Sequence, residues 1–134
     1  MDFSVKWAGA GAAYAGMIFG VVMGLRLMPG PGGVMIGLFF GGAMALPLVL
    51  THWIAALTVG AALRGASFGA QFSAFAVAAL LLDIGMVQWL NELFRSAGGL
   101  FGTPANWTAP MLFYLASLAV SLACMIVWPE PARG

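Results

Sequence analysis

Residues 8–25 read AGAGAAYAGMIFGVVMGL, an uncharged run bounded by Lys6–Trp7 on one side and Arg26 on the other. At about 1.5 Å per residue, such a run coiled as a helix crosses most of a hydrocarbon core roughly 30 Å thick. Within it Ala8, Ala12, Gly16, Gly20 and Gly24 recur at every fourth position. That spacing lays a strip of minimal side chains along one helix face, a groove into which another backbone can press. A secretory leader is the competing reading, with Lys6 in its basic region. The small-residue triplet Ala13-Tyr14-Ala15, however, precedes the most apolar part, whereas a cleavage site follows it. The run is therefore read as a retained first membrane span.

The rest of the 134-residue chain extends that reading. Hydrophobic residues make up 63% and charged residues 7%, with a mean hydropathy of +1.02. Soluble domains carry roughly a quarter charged residues, so this chain cannot cover a soluble surface. The fold class expected is all-α integral membrane. A net charge of +1 provides no basic field for nucleic acid. Cys124 is the single cysteine, which excludes an internal disulfide.

Charges and turn residues divide the chain into four spans, near 7–27, 33–63, 67–94 and 110–128, as one transmembrane domain over 1–134. The connection Met28-Pro29-Gly30-Pro31-Gly32-Gly33 is expected to be non-helical. The second span, Gly33 to Leu63, carries Pro47 in its middle, where a missing amide donor predicts a kink. Its alternative is a span ending near Thr51, followed by an interfacial helix from His52-Trp53. The third span begins near Phe68, holds Asp83 as its one charge, and turns amphipathic over Gln88, Asn91, Glu92 and Arg95. Residues 97–109 form the one substantial loop. Pro110 suits the start of the last span, and Pro129-Glu130-Pro131 ends it. The expected architecture is an up-down bundle of four transmembrane helices, the second kinked at Pro47. Both termini then share a side with Lys6, Arg64 and Arg133, against Arg26 and Arg95 on the other. This bias favours cytoplasmic termini in a bacterial inner membrane. Trp7, Trp89, Trp107 and Trp128 fall near span ends, as an aromatic belt requires, and Trp53 does not.

The glycine ladder recurs. Gly33, Gly37, Gly41 and Ala45 continue the device on the second span, and Ala66, Ala70, Ala74 and Ala78 give a milder version on the third. Small-residue faces allow the close backbone approach that drives association in lipid. The first two ladders either lock spans one and two into a hairpin, or one of them faces outward to another subunit or a copy of the chain.

Two polar residues inside the bilayer are candidate site residues. Asp83 sits within about a turn of the midplane, where a carboxylate costs several kcal/mol unless protonated, paired or hydrated. It is read as a proton-relay or cation-binding group, or as a structural acid bonded across helices or paired with a snorkelling Arg26. His52, the single histidine, lies beyond Pro47, whose freed carbonyl near Ala43 offers it a partner. A straight-helix estimate sets His52 and Asp83 about 6–10 Å apart in depth, so direct pairing would need a register shift or a water. Thr51, Thr58, Gln71, Ser117 and Ser121 are expected to bond neighbouring carbonyls without special role. Nothing resembles a nucleophile–base set, a phosphate loop or a metal cluster, and one histidine cannot supply two haem ligands in a monomer. No enzyme activity, cofactor or metal is expected.

Two functions follow as expectations. One is an accessory or structural subunit that packs through its Gly/Ala ladders in a larger membrane complex or homo-oligomer. The other is a small proton- or cation-linked transporter or channel, a homo-oligomer with Asp83 as the key carboxylate and His52 assisting. A membrane redox subunit using His52 as a ligand is a third, weaker alternative. The partners in each case are the lipid bilayer and other membrane subunits or the chain itself.

Overall fold

The computed structural model describes residues 3–99 and 106–128. Among these the chain is helical, with no strand: α1 (Val5–Leu27), α2 (Pro31–Ala62), α3 (Phe68–Leu93) and α4 (Thr108–Val127), with a short 3₁₀ turn at Arg95–Ala97. All four α-helices contain a stretch long and apolar enough to cross a membrane. In α2 that stretch is Ala45–Ala62, preceded by the apolar segment Pro31–Ala43.

Local chemistry sets the helix ends. Ser4 caps α1 by accepting from the Trp7 amide at 3.4 Å, and Ser67 caps α3 by accepting from the Ala70 amide at 3.3 Å. The connection at 28–33 is shorter than the sequence suggests. Pro31 stands in the first turn of α2, and Gly32 and Gly33 are helical. A first-turn proline lacks only an amide that would be unbonded there anyway, and its ring pre-sets the helical φ. Gly30, at φ +102°, makes the turn that a side chain would strain. Likewise α4 starts at Thr108, two residues before Pro110, with the Thr108 amide donating to Asn106 Oδ1 at 3.0 Å. Of the expected 97–109 loop, residues 100–105 lie outside the described residues, as do Pro129-Glu130-Pro131 and Arg133.

α2 runs unbroken through Pro47 and on through Thr51 and His52 to Ala62. No separate helix begins at His52-Trp53. At 32 residues α2 is roughly 48 Å long.

α1 is the central helix, packing on α2 along one side and on α4 along the other. α3 packs mainly on α2 and meets α4 only sparsely. The α1–α2 contact is glycine against glycine. A Cβ added to Gly20 would lie against the Gly37 carbonyl oxygen and 2.7 Å from the Gly41 Cα, and one added to Gly24 would lie 2.8 Å from the Gly37 Cα. Gly16 faces Ala45 and Gly41, and Gly33 faces the Gly24 carbonyl. The two ladders thus form the seam of an antiparallel hairpin, with backbones so close that no side chain fits between them. α1 presents a second small face to α4: an added Cβ on Gly11 would meet Ser121 Oγ and sit 2.7 Å from the Ser117 carbonyl oxygen. Ser121 Oγ donates to the Ala8 carbonyl at 3.4 Å. Where α1 begins and α4 ends, the Trp7 and Trp128 rings stack at 5.6 Å and Trp7 Nε1 donates to the Trp128 carbonyl at 3.2 Å. Both described chain ends therefore lie on one side of the bundle.

The alanine series expected on α3 is not its buried stripe. The stripe is Phe75, Ala79, Asp83 and Val87, the same four-residue spacing one position on from Ala74 and Ala78. Phe75 and Ala79 join Ala8, Ala55, Ala56, Val59 and Met125 in a core built from all four helices. Periodicity reveals that a helix has a four-residue stripe, but the tight α1–α2 hairpin decides which stripe turns inward.

Candidate functional site

Three polar side chains converge between α2 and α3. His52 Nε2 lies 2.8 Å from Asp83 Oδ2, and Thr51 Oγ1 lies 2.5 Å from Asp83 Oδ1. Thr51 and His52 are successive residues of one helix, and each takes one oxygen of the same carboxyl group. His52 is wholly buried and Asp83 is 6% exposed. Neither Arg26 nor the Ala43 carbonyl takes part in these contacts.

Direct pairing corrects the sequence expectation of a gap, and side-chain direction is the reason. Along straight axes His52 lies about 15 Å from the α2 end at Ala62, and Asp83 about 22 Å from the α3 start at Phe68. The short 63–67 turn joins those two ends, which are taken as level. The remaining offset of about 7 Å assumes side chains that stand square to the helix. Helical side chains instead lean toward their own helix N-terminus. In this antiparallel pair His52 leans toward the depth of Asp83, and Asp83 leans back toward His52. The two leanings and the reach of the imidazole close the gap.

Thr51, assigned no special role from sequence, completes the site. Its hydroxyl carries one hydrogen, yet it lies within bonding distance of two acceptors, the Leu48 carbonyl at 3.0 Å and Asp83 Oδ1. It donates to one of them. Alternatively it shares that hydrogen between the two in a three-centre bond.

Aromatic rings close the site. Phe75 meets the His52 ring edge-to-face at 5.7 Å, and Tyr114 from α4 does the same at 6.2 Å. Tyr114 Oη donates to the Ala76 carbonyl at 2.5 Å, tying α4 to α3 across their thin contact. His52 Nδ1 is buried and has no hydrogen-bond partner. We assign the imidazole hydrogen to Nε2, where it donates to Asp83. The unmatched Nδ1 is then a lone pair, which costs less than an orphaned N–H.

The remaining polar residues behave as expected from sequence. Thr58 donates to the Ile54 carbonyl, Gln71 to the Leu63 carbonyl and Ser117 to the Tyr114 carbonyl. Glu92 and Arg95 form an exposed ion pair at 3.0 Å near the end of α3. The six glycines read as packing residues lie on the α1–α2 seam, apart from the polar cluster. The chain gives no match to any known protein family, curated protein or solved structure.

Proposed function

We propose that this protein is a small proton- or cation-linked transporter or channel, working as a homo-oligomer, with Asp83 as the key carboxylate and His52 and Thr51 as its partners. The observation that carries the reading is the buried Asp83–His52 contact beside an unmatched His52 Nδ1. A purely structural tie between helices tends to match every buried polar atom, because an unmatched one in a low-dielectric interior is costly. An intramembrane carboxylate is rare for the same reason and marks ion pathways and proton relays. Four spans enclose little space for a pathway, which is why the reading includes an assembly of copies. The proposal involves no covalent chemistry and no enzyme activity, and it places the chain in a bacterial inner membrane with cytoplasmic termini.

The accessory-subunit reading keeps one supporting observation, the thin α3–α4 contact, a seam open to a partner helix. Its original support is weaker, because the α1 and α2 ladders are occupied by each other and are not presented to another chain. The deciding experiment is reconstitution into liposomes with proton, sodium and potassium flux measured for the wild type and Asp83→Asn. Flux lost in the variant while native mass spectrometry shows the same oligomer supports transport. Flux absent from both, with stable co-purification of larger subunits, overturns it in favour of the accessory role.

A further inference from the structure

The transport reading leaves the ion open, and the geometry of the cluster narrows it. We propose that the ion handled at Asp83 is the proton and not a metal cation, and that His52 Nδ1 is the position where the proton is taken up. The inference rests on the transport reading above, but it concerns a separate property of the site.

A metal cation needs several ligand atoms around one centre. With bonds of about 2.4 Å, two oxygens at right angles on a cation stand roughly 3.4 Å apart. Here Thr51 Oγ1 and Asp83 Oδ1 are 2.5 Å apart, and His52 Nε2 and Asp83 Oδ2 are 2.8 Å apart. Those are spacings with a hydrogen between the atoms. A cation placed between the atoms of either pair would have to move them apart by roughly 0.6–0.9 Å. Among the described residues no group of three His, Cys, Asp or Glu side chains is found that could hold a metal ion. The buried His52 Nδ1, which has no hydrogen-bond partner, belongs to a ring flanked by Phe75 and Tyr114. A single lone pair among aromatic rings suits a proton, which needs one acceptor.

The transfer balances within the cluster. A proton arriving at Nδ1 forms an N–H bond there. The Nε2–H bond breaks as its hydrogen passes to Asp83 Oδ2, where an O–H bond forms. The imidazole stays neutral, now protonated on Nδ1, and the carboxylate becomes a carboxylic acid. The cluster goes from one negative charge to none, which a bilayer interior favours, while Nδ1 becomes an N–H without an acceptor, which it does not.

Two measurements on the wild-type protein test this. In proteoliposomes, proton movement read by an enclosed pH dye is expected to keep its rate when all sodium and potassium are replaced by N-methylglucamine, with labelled sodium and rubidium uptake no greater than in empty vesicles. Proton movement lost on replacement, or labelled-cation uptake, overturns the proposal while leaving transport intact. Flux of no ion at all overturns the transport reading instead. The second measurement then decides the proton assignment by itself: ¹⁵N NMR of histidine-labelled protein in nanodiscs. Acidification is expected to convert the Nδ1 signal from the lone-pair to the protonated type, and saturating sodium, potassium, magnesium or calcium is expected to leave it in place. A cation-induced shift, or an Nδ1 that never protonates, overturns the assignment.

Discussion

Gly41 and Gly42 are neighbours in α2 and offer a matched pair of perturbations. A Cβ added to Gly41 would sit 2.5 Å from the Gly16 carbonyl oxygen and 2.9 Å from the Gly20 Cα, whereas one added to Gly42 meets nothing within 4 Å. Both clashing atoms are backbone, so no rotamer change relieves them. Optimal contact needs about 3.5–4.0 Å, so α1 and α2 must separate by roughly 1 Å at this rung. The same separation loosens the rungs on either side, where Gly20 faces Gly37 and Gly16 faces Ala45. Overpacking of this kind costs about 1–3 kcal/mol. Replacing a mid-helix glycine by alanine also gains about 0.5–1 kcal/mol in helix propensity. That gain applies to both positions and cancels in the comparison. Gly41→Ala is therefore expected to be about 1–3 kcal/mol less stable than Gly42→Ala, with Gly42→Ala at or above wild type. Unfolding by steric trapping in bicelles, or thermal midpoints in one detergent, measures the difference. Equal stability for the two variants would refute the claim that the ladders are in backbone contact, and the hairpin seam with it.

Two further predictions concern the polar groups. Thr51→Val keeps the shape of the side chain and removes its bond to Asp83 Oδ1. Interhelical hydrogen bonds in membranes average about 0.6 kcal/mol and reach about 1.7, so a loss in that range is expected. A double-mutant cycle with Asp83→Leu, which removes the acceptor, checks it, and additive losses would mean the two groups do not interact. Tyr114→Phe retains the ring over His52 but removes the Oη bond to the Ala76 carbonyl. A similar loss of about 0.6–1.7 kcal/mol is expected, together with a broader α3–α4 distance distribution by electron–electron resonance between spin labels. An unchanged distribution would show that this tie does not hold the two helices together.

The sequence by itself determined the membrane class, the four helices and their approximate limits. The physical reason is that a bilayer admits few solutions. Every backbone group in hydrocarbon must be bonded within its own segment, so a long uncharged run is a helix before any packing is known. The ladders on α1 and α2 were legible too, since glycine at every fourth position serves one purpose wherever helices meet. Asp83 and His52 stood out because charge in an apolar run is costly in any fold. What faces what belonged to the tertiary structure. Whether a ladder turns inward or outward, which α3 stripe is buried, and that Gly11 is a second contact face all depend on how α4 and α3 settle around the hairpin. The polar cluster is the clearest case. Residue spacing gives depths along straight axes, but a hydrogen bond is made at side-chain ends, and these lean by several ångströms. Thr51 carried no sequence signal at all, because a threonine in a membrane helix normally bonds its own backbone. It became a member of the site only when the packing of α3 on α2 brought Asp83 within reach of the same hydroxyl.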